Sequence, residues 1–435
     1  MLKKSKYSFL LGNNLVWHSL LGRSVRVSNV LYDKLSKDIL FDDDNSTEVQ
    51  KLIRYNFISQ KGIDDSLLSH IKEEITDEGL NNLFLIMTNS CNLRCKYCFY
   101  QNTKKLQNKM MTFQVAKKAV DIFIQNQNKN EKTQGWFSQI TFYGGEPLLN
   151  FECIKRITDY IEQLKSEKKL SQKTQLVINT NGTLINDDIV KWAKQHDVQV
   201  QISIDGDETQ HDKNRITTSG EGSYKKTLRG LGALVKNEID VLPLITVTED
   251  NLPQLEDIIY RLCKDYHLKH YGMNLLIDLG KQPISNYPKY ASEKMVETCK
   301  KTSALSVSDD AVDMIFDVLK NFKVVKQTCG VSRKMTVFPD GKILSCQAIS
   351  DCKKSLIGHV DKGLSESENI KYWRNYTRFD NSECLKCKYL GFCGGGCVAS
   401  ALFRHKQLGN IDKHYCYWIK NIMEKYFNPE DYLME

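Results

Sequence analysis

The sequence contains no long apolar run. No stretch approaches the roughly 20 apolar residues that a membrane-spanning helix needs. The apolar run at residues 9–11 follows a basic segment, but it is too short for the core of a signal peptide. Dense basic runs are also absent, although the net charge is +8. We therefore expect a cytoplasmic protein that binds neither membranes nor nucleic acid.

Cysteine is missing from the first 80 residues, although the whole chain has 14. We therefore expect no iron–sulfur cluster in those residues. In a reducing cytoplasm, so many cysteines indicate metal ligands rather than disulfides. A chain of 435 residues also exceeds one ordinary domain, so we expect two or three.

The first 80 residues combine three strand patterns with three helical patterns. The strand-like runs at 7–11, 15–18 and 24–28 are separated by turn residues, and helical patterns follow at 30–39, 47–58 and 66–75. This order resembles the small winged-helix module that binds leader peptides in peptide-maturation enzymes. The alternative is an extension that only packs against the following domain.

From about residue 82, strand and helix patterns alternate. The strands are predicted at 82–87, 139–143, 175–180, 198–205, 241–247 and 271–277. Such alternation predicts parallel strands with right-handed crossovers. Six units are too few for an eight-stranded barrel, so we expect a partial, open one. In the fourth strand, Gln199, Gln201, Ser203 and Asp205 alternate with apolar residues, which indicates a polar interior face.

Three cysteines, Cys91, Cys95 and Cys98, follow the first of these strands within eight residues. Three thiolates can hold three corners of a four-iron cubane and leave one iron open, or they can form part of a zinc site. The spacing, with an aromatic residue before the third cysteine, resembles the radical S-adenosylmethionine (SAM) enzymes. This resemblance implies a [4Fe–4S] cluster that binds SAM and releases a 5′-deoxyadenosyl radical. On the same resemblance, Phe99 is assigned to cofactor binding. These three cysteines are called the triplet below.

Two glycines and a carboxylate, Gly144, Gly145 and Glu146, end the second strand. Paired glycines let a ligand approach the backbone, and a carboxylate can accept hydrogen bonds from an ammonium group. The segment resembles the motif that holds the SAM amino group in this family. An ordinary strand-ending turn is the alternative.

Three further residues resemble SAM-binding positions of the family. Asn181 lies in a Thr-Asn-Gly segment that ends the third strand, and Ser203 lies in a Ser-Ile-Asp-Gly segment that ends the fourth. Ser203 is a candidate for a ribose hydroxyl of SAM, because a hydroxyl both donates and accepts. Arg215 resembles an arginine that meets the SAM carboxylate. Each could instead be an ordinary loop residue or a member of a structural ion pair.

The last hundred residues resemble the SPASM domain, which carries auxiliary iron–sulfur clusters. The resemblance assigns seven cysteines to two sites. The terminal set is Cys384, Cys387, Cys393 and Cys416, and the middle set is Cys329, Cys346 and Cys397. Many such domains have another cysteine just before the position of Cys329, and this chain does not. The middle cluster would therefore have an open iron or borrow Cys352 or Cys299. Two structural zinc sites are the alternative.

The resemblance runs in order through residues 83–420. It implies an α/β chain with an N-terminal leader-binding module (1–80), a partial (β/α)6 barrel (81–280), a bridging segment (281–324) and a SPASM domain (325–435). The implied enzyme has three [4Fe–4S] clusters and SAM, and it forms a thioether or carbon–carbon cross-link in a precursor peptide. An external flavodoxin- or ferredoxin-like protein would supply electrons. The sequence identifies no catalytic residue beyond the cofactor ligands.

Two other functions stay open. Anaerobic sulfatase maturases resemble this chain from the triplet onward, and they oxidise a Cys or Ser side chain to formylglycine. They begin close to the triplet, however, and carry a basic aspartate where this chain has Gln347. A zinc-stabilised binding protein would need only the cysteines, and it would have no use for Glu146 or a polar strand face.

Overall fold

The computed structural model describes residues 2–41, 46–74, 79–102, 108–127, 138–279, 286–365 and 367–434. Strands and helices are numbered in chain order. The strands are β1 (Leu2–Lys4), β2 (Ser8–Leu10), β3 (Leu15–His18), β4 (Arg23–Arg26), β5 (Ile58–Gln60), β6 (Asn82–Thr88), β7 (Gln139–Gly144), β8 (Gln175–Thr180), β9 (Gln199–Ser203), β10 (Val241–Val247), β11 (His270–Leu275), β12 (Ser308–Asp309), β13 (Lys334–Val337), β14 (Lys342–Leu344), β15 (Leu356–His359) and β16 (Gly363–Leu364). The helices are α1 (Asn29–Ser36), α2 (Thr47–Arg54), α3 (Ile63–Glu74), α4 (Phe99–Asn102), α5 (Phe113–Gln125), α6 (Phe151–Ser166), α7 (Asp187–Gln195), α8 (Glu208–Asn214), α9 (Tyr224–Lys236), α10 (Leu255–Tyr266), α11 (Tyr287–Thr302), α12 (Asp310–Lys320), α13 (Glu368–Arg374), α14 (Leu390–Cys393), α15 (Val398–His405) and α16 (Lys413–Tyr426).

Six parallel strands, β6 to β11, form the centre of the molecule. They lie side by side in chain order within one 11-stranded sheet. The sequence prediction of six such strands is confirmed, and β8 and β10 match their predicted bounds to the residue. Because all six strands run the same way, their carboxyl ends meet at one edge, where parallel sheets usually place ligands.

The sheet continues beyond β6 into the cysteine-rich part of the chain. Strand β13 pairs with β6 in parallel, and β14 to β16 follow as antiparallel neighbours. On the opposite edge, the short strand β12 pairs with β11. The last hundred residues are therefore attached to the barrel by backbone hydrogen bonds as well as by side-chain packing.

The N-terminal residues form two small sheets and three helices. Strands β2, β3 and β4 make one antiparallel sheet, as predicted, while β1 and β5 pair in a second sheet that the sequence analysis missed. The predicted second helix ends at Arg54 instead of reaching residue 58, because Ile58 begins β5. Position 75, the end of the predicted third helix, lies outside the described residues.

The bridging region is mostly helical. It contains α12 and the long helix α11, which packs against α10 and α16. Residues 281–285 of the predicted bridge lie outside the described residues. No described helix has the length and apolar character needed to cross a membrane.

Trp17 on β3 fastens the N-terminal sheet to the C-terminal region. Its ring stacks on Phe392 at 5.7 Å between centroids and meets Phe427 and Tyr432 edge-on at 4.9 and 5.2 Å. Its Nε1 donates to the carbonyl oxygen of Lys388 at 2.8 Å. The end of the chain adds a second tie, since Leu433 forms a parallel bridge with Ser24 on β4.

We expect Trp17→Ala to lower the free energy of unfolding by about 3–5 kcal/mol, because it leaves a large cavity among aromatic rings. Trp17→Phe should lower the free energy of unfolding less. Tyr417→Ala is a suitable control, since that ring is 50% exposed. Urea unfolding followed by circular dichroism measures the difference. Equal stability of the Trp17→Ala and Tyr417→Ala proteins would show that this contact does not hold the two parts together.

Candidate active site

The triplet lies in the loop between β6 and α4, at the carboxyl edge of the sheet. Cys91, Cys95 and Cys98 are all half buried. Burial, followed by the charge of Glu146, raises the pKa of Cys91 to about 12. Burial also raises the pKa of Cys95, against the opposing charge of Arg215. Thiols in such surroundings become thiolates only when a cation is bound to them.

The two glycines of β7 allow its end to lie directly against the loop that carries the triplet. A Cβ on Gly144 would collide with the carbonyl oxygen of Thr88, and one on Gly145 with that of Ser90. Gly145 N donates to Thr88 O at 2.9 Å, and Glu146 N donates to Ser90 O at 2.8 Å. The sequence analysis expected the glycines to admit a ligand. In the structure, the backbone of the neighbouring loop fills the space beside both of them.

Glu146 connects the ends of β7 and β8. Its carboxylate is 1% exposed and accepts hydrogen bonds from Thr180 Oγ1 at 2.7 Å, Asn181 N at 2.8 Å and Leu148 N at 3.1 Å. Burial raises the pKa of Glu146 to about 7, and these three donors oppose the rise. The residue is therefore a buried carboxylate that changes charge close to neutral pH.

Asn181 extends this network to the triplet. Its Nδ2 donates to Asn92 Oδ1 at 2.9 Å and lies 3.9 Å from the sulfur of Cys91. Ser203 lies at the end of β9, on the strand face that it shares with Gln199 and Gln201. Its hydroxyl makes no hydrogen bond to any residue within the described ranges, so it is available to a ligand. The predicted polar face is present, since Gln199, Gln201 and Ser203 are half buried while the apolar residues between them are fully buried.

Arg215 lies under the triplet loop in a buried ion pair. Its guanidinium donates to both oxygens of Asp205, from Nε at 2.9 Å and from Nη2 at 3.1 Å. Burial alone would lower the pKa of Arg215, but the charge of Asp205 raises it overall. The Tyr97 hydroxyl also donates to Asp205, and the Arg215 guanidinium lies 5.5 Å from the Tyr97 ring centroid. The ion pair therefore anchors the loop between the second and third cysteines.

Sequence reasoning assigned no role to Asp205 or Tyr97. Asp205 is the residue after Ser203-Ile204 on the polar side of the fourth strand pattern, and Tyr97 is the aromatic residue before the third cysteine. Both signals were present, but the pairing of Asp205 with Arg215 joins a strand end to a helix end and cannot be read from local spacing. Phe99, which the sequence analysis assigned to cofactor binding, begins α4 and packs in the same cluster as Tyr100 and Tyr143.

The three cysteines of the middle set lie near one another. Burial raises the pKa of Cys397 to about 12, and the charges of Asp412, Cys329 and Cys346 add to that rise. The two suggested substitutes for a fourth cysteine have other neighbours. Cys352 lies near Tyr372, and the sulfur of Cys299 accepts from the Tyr271 hydroxyl at 3.5 Å.

Tyr143 connects the triplet to the middle set. It is half buried, and besides burial the charges of Cys98 and Cys346 raise its pKa. Tyr143 thus contacts the surroundings of both cysteine sets, although Cys98 and Cys346 are far apart in the chain. The two sets consequently face the same region at the carboxyl edge of the barrel.

The terminal set surrounds one cavity. Cys384, Cys387, Cys393 and Cys416 all line it, together with Lys420. Burial raises the pKa of Cys393 to about 12, and the charges of the other three cysteines contribute. The two remaining cysteines, Cys153 and Cys263, are buried in α6 and α10 among apolar residues.

Three comparisons identify relatives of this chain. The model of the Radical SAM superfamily matches residues 85–262. The radical SAM cyclopropyl synthase TigE of Paramaledivibacter caminithermalis is 25% identical over 99% of this chain and 94% of that protein. A cysteine-type anaerobic sulfatase-maturating enzyme of Clostridium novyi is 26% identical over 82% of this chain and 97% of that enzyme.

A solved structure shares the fold over nearly the whole chain. The crystal structure of Streptococcus suis SuiB bound to the precursor peptide SuiA has a TM-score of 0.53 and covers 96% of this chain and all of its own, at 15% sequence identity. The matched family region contains the triplet, the Gly144–Glu146 turn, Ser203 and Arg215. The chain is an enzyme of the radical SAM superfamily, related to a radical SAM cyclopropyl synthase and to sulfatase-maturating enzymes.

Proposed function

We propose that this enzyme binds a ribosomally made precursor peptide and closes a thioether or carbon–carbon cross-link in it. The observation that carries the proposal is that Cys98 of the triplet and Cys346 of the middle set both lie near Tyr143, which packs with Cys98 against a cluster that contains Leu344. A site for radical formation and a site for electron removal would then adjoin the same substrate. Cross-link formation needs both, because the peptide must lose one hydrogen atom and then one proton and one electron.

The residues around the triplet fit a cubane with one open iron. Three half-buried thiols with no disulfide partner converge there. The charges of Cys95 and Cys98 both act on Cys91, so the three thiols are neighbours. When bound, the cluster would supply the electron that cleaves SAM.

The protein's own contribution at this site is orientation. In the proposal, Glu146 accepts hydrogen bonds from the SAM amino group and Ser203 bonds a ribose hydroxyl. The Gly144–Glu146 turn and Asn181 position the Glu146 carboxylate and the Ser203 hydroxyl relative to the triplet. Arg215 lies within reach of the same loop, but its pairing with Asp205 assigns it first to holding Tyr97 in place.

The cysteine-rich region fits two auxiliary clusters of the SPASM type. We assign a complete cluster to the terminal set, since its four cysteines line one cavity. In the proposal the middle set holds a cluster by three cysteines, and Cys352 is the rival for the fourth position. Its fourth position is then open to a thiolate of the substrate, which is a suitable soft ligand for iron. This arrangement favours thioether formation.

The N-terminal module is proposed to bind the leader segment of the precursor, as a winged-helix-like domain of residues 1–80. A groove of about 840 Å³ runs beside β1, β2 and the start of α3. Strand β2 is an edge strand there, and an extended peptide could add to it. Lys4 and Lys6 in the groove are paired with aspartates, whereas Lys3 and Lys61 form no ion pair within the described ranges. The excess positive charge suits an acidic peptide.

The alternative function is a sulfatase-maturase type of oxidation, which relatives of this chain perform. Against it stands Gln347, directly after Cys346, because an amide cannot accept the proton that such an oxidation releases.

We propose an external flavodoxin- or ferredoxin-like protein as electron donor. All 14 cysteines are free, which suits a protein of the reducing cytoplasm.

Replacing Cys91, Cys95 and Cys98 together with Ala should remove one of three clusters, which is about four of about twelve irons per chain. SAM cleavage should stop entirely. Iron analysis and assay of 5′-deoxyadenosine after anaerobic reconstitution test this. Cys352→Ala is the matched control and should keep all its iron. Continued SAM cleavage in the triple variant would show that the triplet does not hold the SAM cluster.

Glu146→Gln should weaken SAM binding about 10- to 100-fold, because charge-assisted hydrogen bonds contribute roughly 1.5–3 kcal/mol. Since the pKa of Glu146 is about 7, wild-type affinity should rise as the pH increases through that value. The Gln variant should lack this rise. Titration of SAM at several pH values measures both effects, with Thr180→Ala as a control that keeps the carboxylate. The assignment fails if the Gln variant binds SAM as tightly as wild type and keeps the same pH profile.

Reversing the charge of the groove with Lys3→Glu and Lys61→Glu should impair modification of the precursor at least tenfold and leave SAM cleavage unchanged. A matched control reverses Lys168 and Lys173, which are exposed before β8 and outside the groove. Mass spectrometry of the precursor measures turnover. If the groove variant and the control modify the precursor equally well, the leader does not bind in this groove.

A further inference from the structure

Arg378 is a buried guanidinium that lacks partners for two of its nitrogen atoms. The residue is 3% exposed, and Nη1 donates to the carbonyl oxygen of Asn410 at 2.9 Å. Nε and Nη2 are buried and have no hydrogen-bond partner in the part of the chain that the structure describes. No described carboxylate forms an ion pair with it. A buried charge without a partner is strongly destabilising, so a missing partner must be sought.

The fold makes room for this side chain at one glycine. Gly395 has a φ of +89°, and a Cβ there would collide with Nε and Cδ of Arg378. Any other residue at 395 would therefore displace the guanidinium. Gly395 stands between Cys393 of the terminal set and Cys397 of the middle set. Arg378 thus packs on the short segment that joins the two sets.

The groups around Arg378 point to the terminal set as its partner. Gly395, on which Arg378 packs, lines the same cavity as Cys384, Cys387, Cys393 and Cys416. The nearby carboxylate of Asp412 is already engaged, because its two oxygens accept from Cys397 N at 2.9 Å and from Tyr415 N at 3.2 Å. An anionic group between the cysteines would accept hydrogen bonds from both Nε and Nη2 of Arg378.

We propose that Arg378 is the counter-ion of the cluster held by the terminal set and raises its reduction potential. Nε and Nη2 would donate to sulfur atoms of that cluster. Reduction adds one electron to a cluster that already carries negative charge, so an adjacent cation with two donors favours the reduced form. The electron is the one that the peptide loses as its cross-link closes. This role rests on the assignment of the terminal set as a cluster site, and Arg378 acts by tuning rather than by touching the substrate.

The test measures the reduction potential of the auxiliary clusters directly. In a chain with Cys91, Cys95 and Cys98 replaced by Ala, only the two auxiliary clusters remain. Anaerobic redox titration, followed by electron paramagnetic resonance, then compares Arg378→Gln and Arg378→Lys with the parent. The Gln variant should keep its iron and shift to a more negative potential. The Lys variant, which keeps the charge, should shift less.

Lys72→Gln is the matched control. Lys72 pairs with Asp380, two residues from Arg378, but its side chain is 33% exposed and that of Asp380 is 60% exposed. Water and salt screen such a charge, so removing it should leave the potential unchanged. An equal shift in Lys72→Gln and Arg378→Gln would overturn the specific role of Arg378.

Two further outcomes separate this role from the cluster assignment itself. Absence of iron from the terminal set in the parent chain would contradict the proposed function. Full iron with an unchanged potential in Arg378→Gln would overturn the role of Arg378 alone. If Arg378→Gln loses iron, the Arg378→Lys variant distinguishes the two explanations. A Lys variant that keeps the cluster near the parent's reduction potential supports the counter-ion role. A Lys variant that also loses iron shows that Arg378 serves packing, and it rejects the proposal.

Discussion

Burial of cysteine is the constraint on which the rest of this structure depends. Burial raises the pKa of Cys91, Cys393 and Cys397 to about 12, and neighbouring thiol charges add to the effect. Such thiols do not ionise at neutral pH unless a cation binds them. The fold therefore contains three groups of cysteines that would become thiolates only on binding a metal. The sheet, the glycines and Arg378 can all be understood as means of placing these groups.

Backbone pairing brings the groups together. The parallel pairing of β13 with β6 attaches the cysteine-rich region to the first barrel strand, which leads directly into the triplet. Glycines at 144 and 145 let β7 lie against the same loop. Tyr143 lies near both Cys98 and Cys346, so the triplet and the middle set have a common neighbour.

Much of the barrel could be predicted from the sequence, because each strand is a local apolar run ended by turn residues. Strands β8 and β10 were predicted to the residue for that reason. Strands β1 and β5 were missed, since Leu2 and Gln60 pair across nearly sixty residues and neither segment is strongly apolar. At the site, the cysteines and Glu146 were identified by spacing. The partners of Arg215 were not, because Asp205 and Tyr97 come from separate elements that only the fold brings together.

The most direct test of the account is the mass of the precursor peptide after anaerobic incubation with enzyme, SAM and a reductant. The substrates to test are peptides encoded by short reading frames beside the gene. We predict a product lighter by two hydrogen atoms per cross-link, with two residues joined in its fragment spectrum and one 5′-deoxyadenosine formed for each link. An aldehyde on a single Cys or Ser, or formation of 5′-deoxyadenosine with an unchanged peptide, would contradict the account.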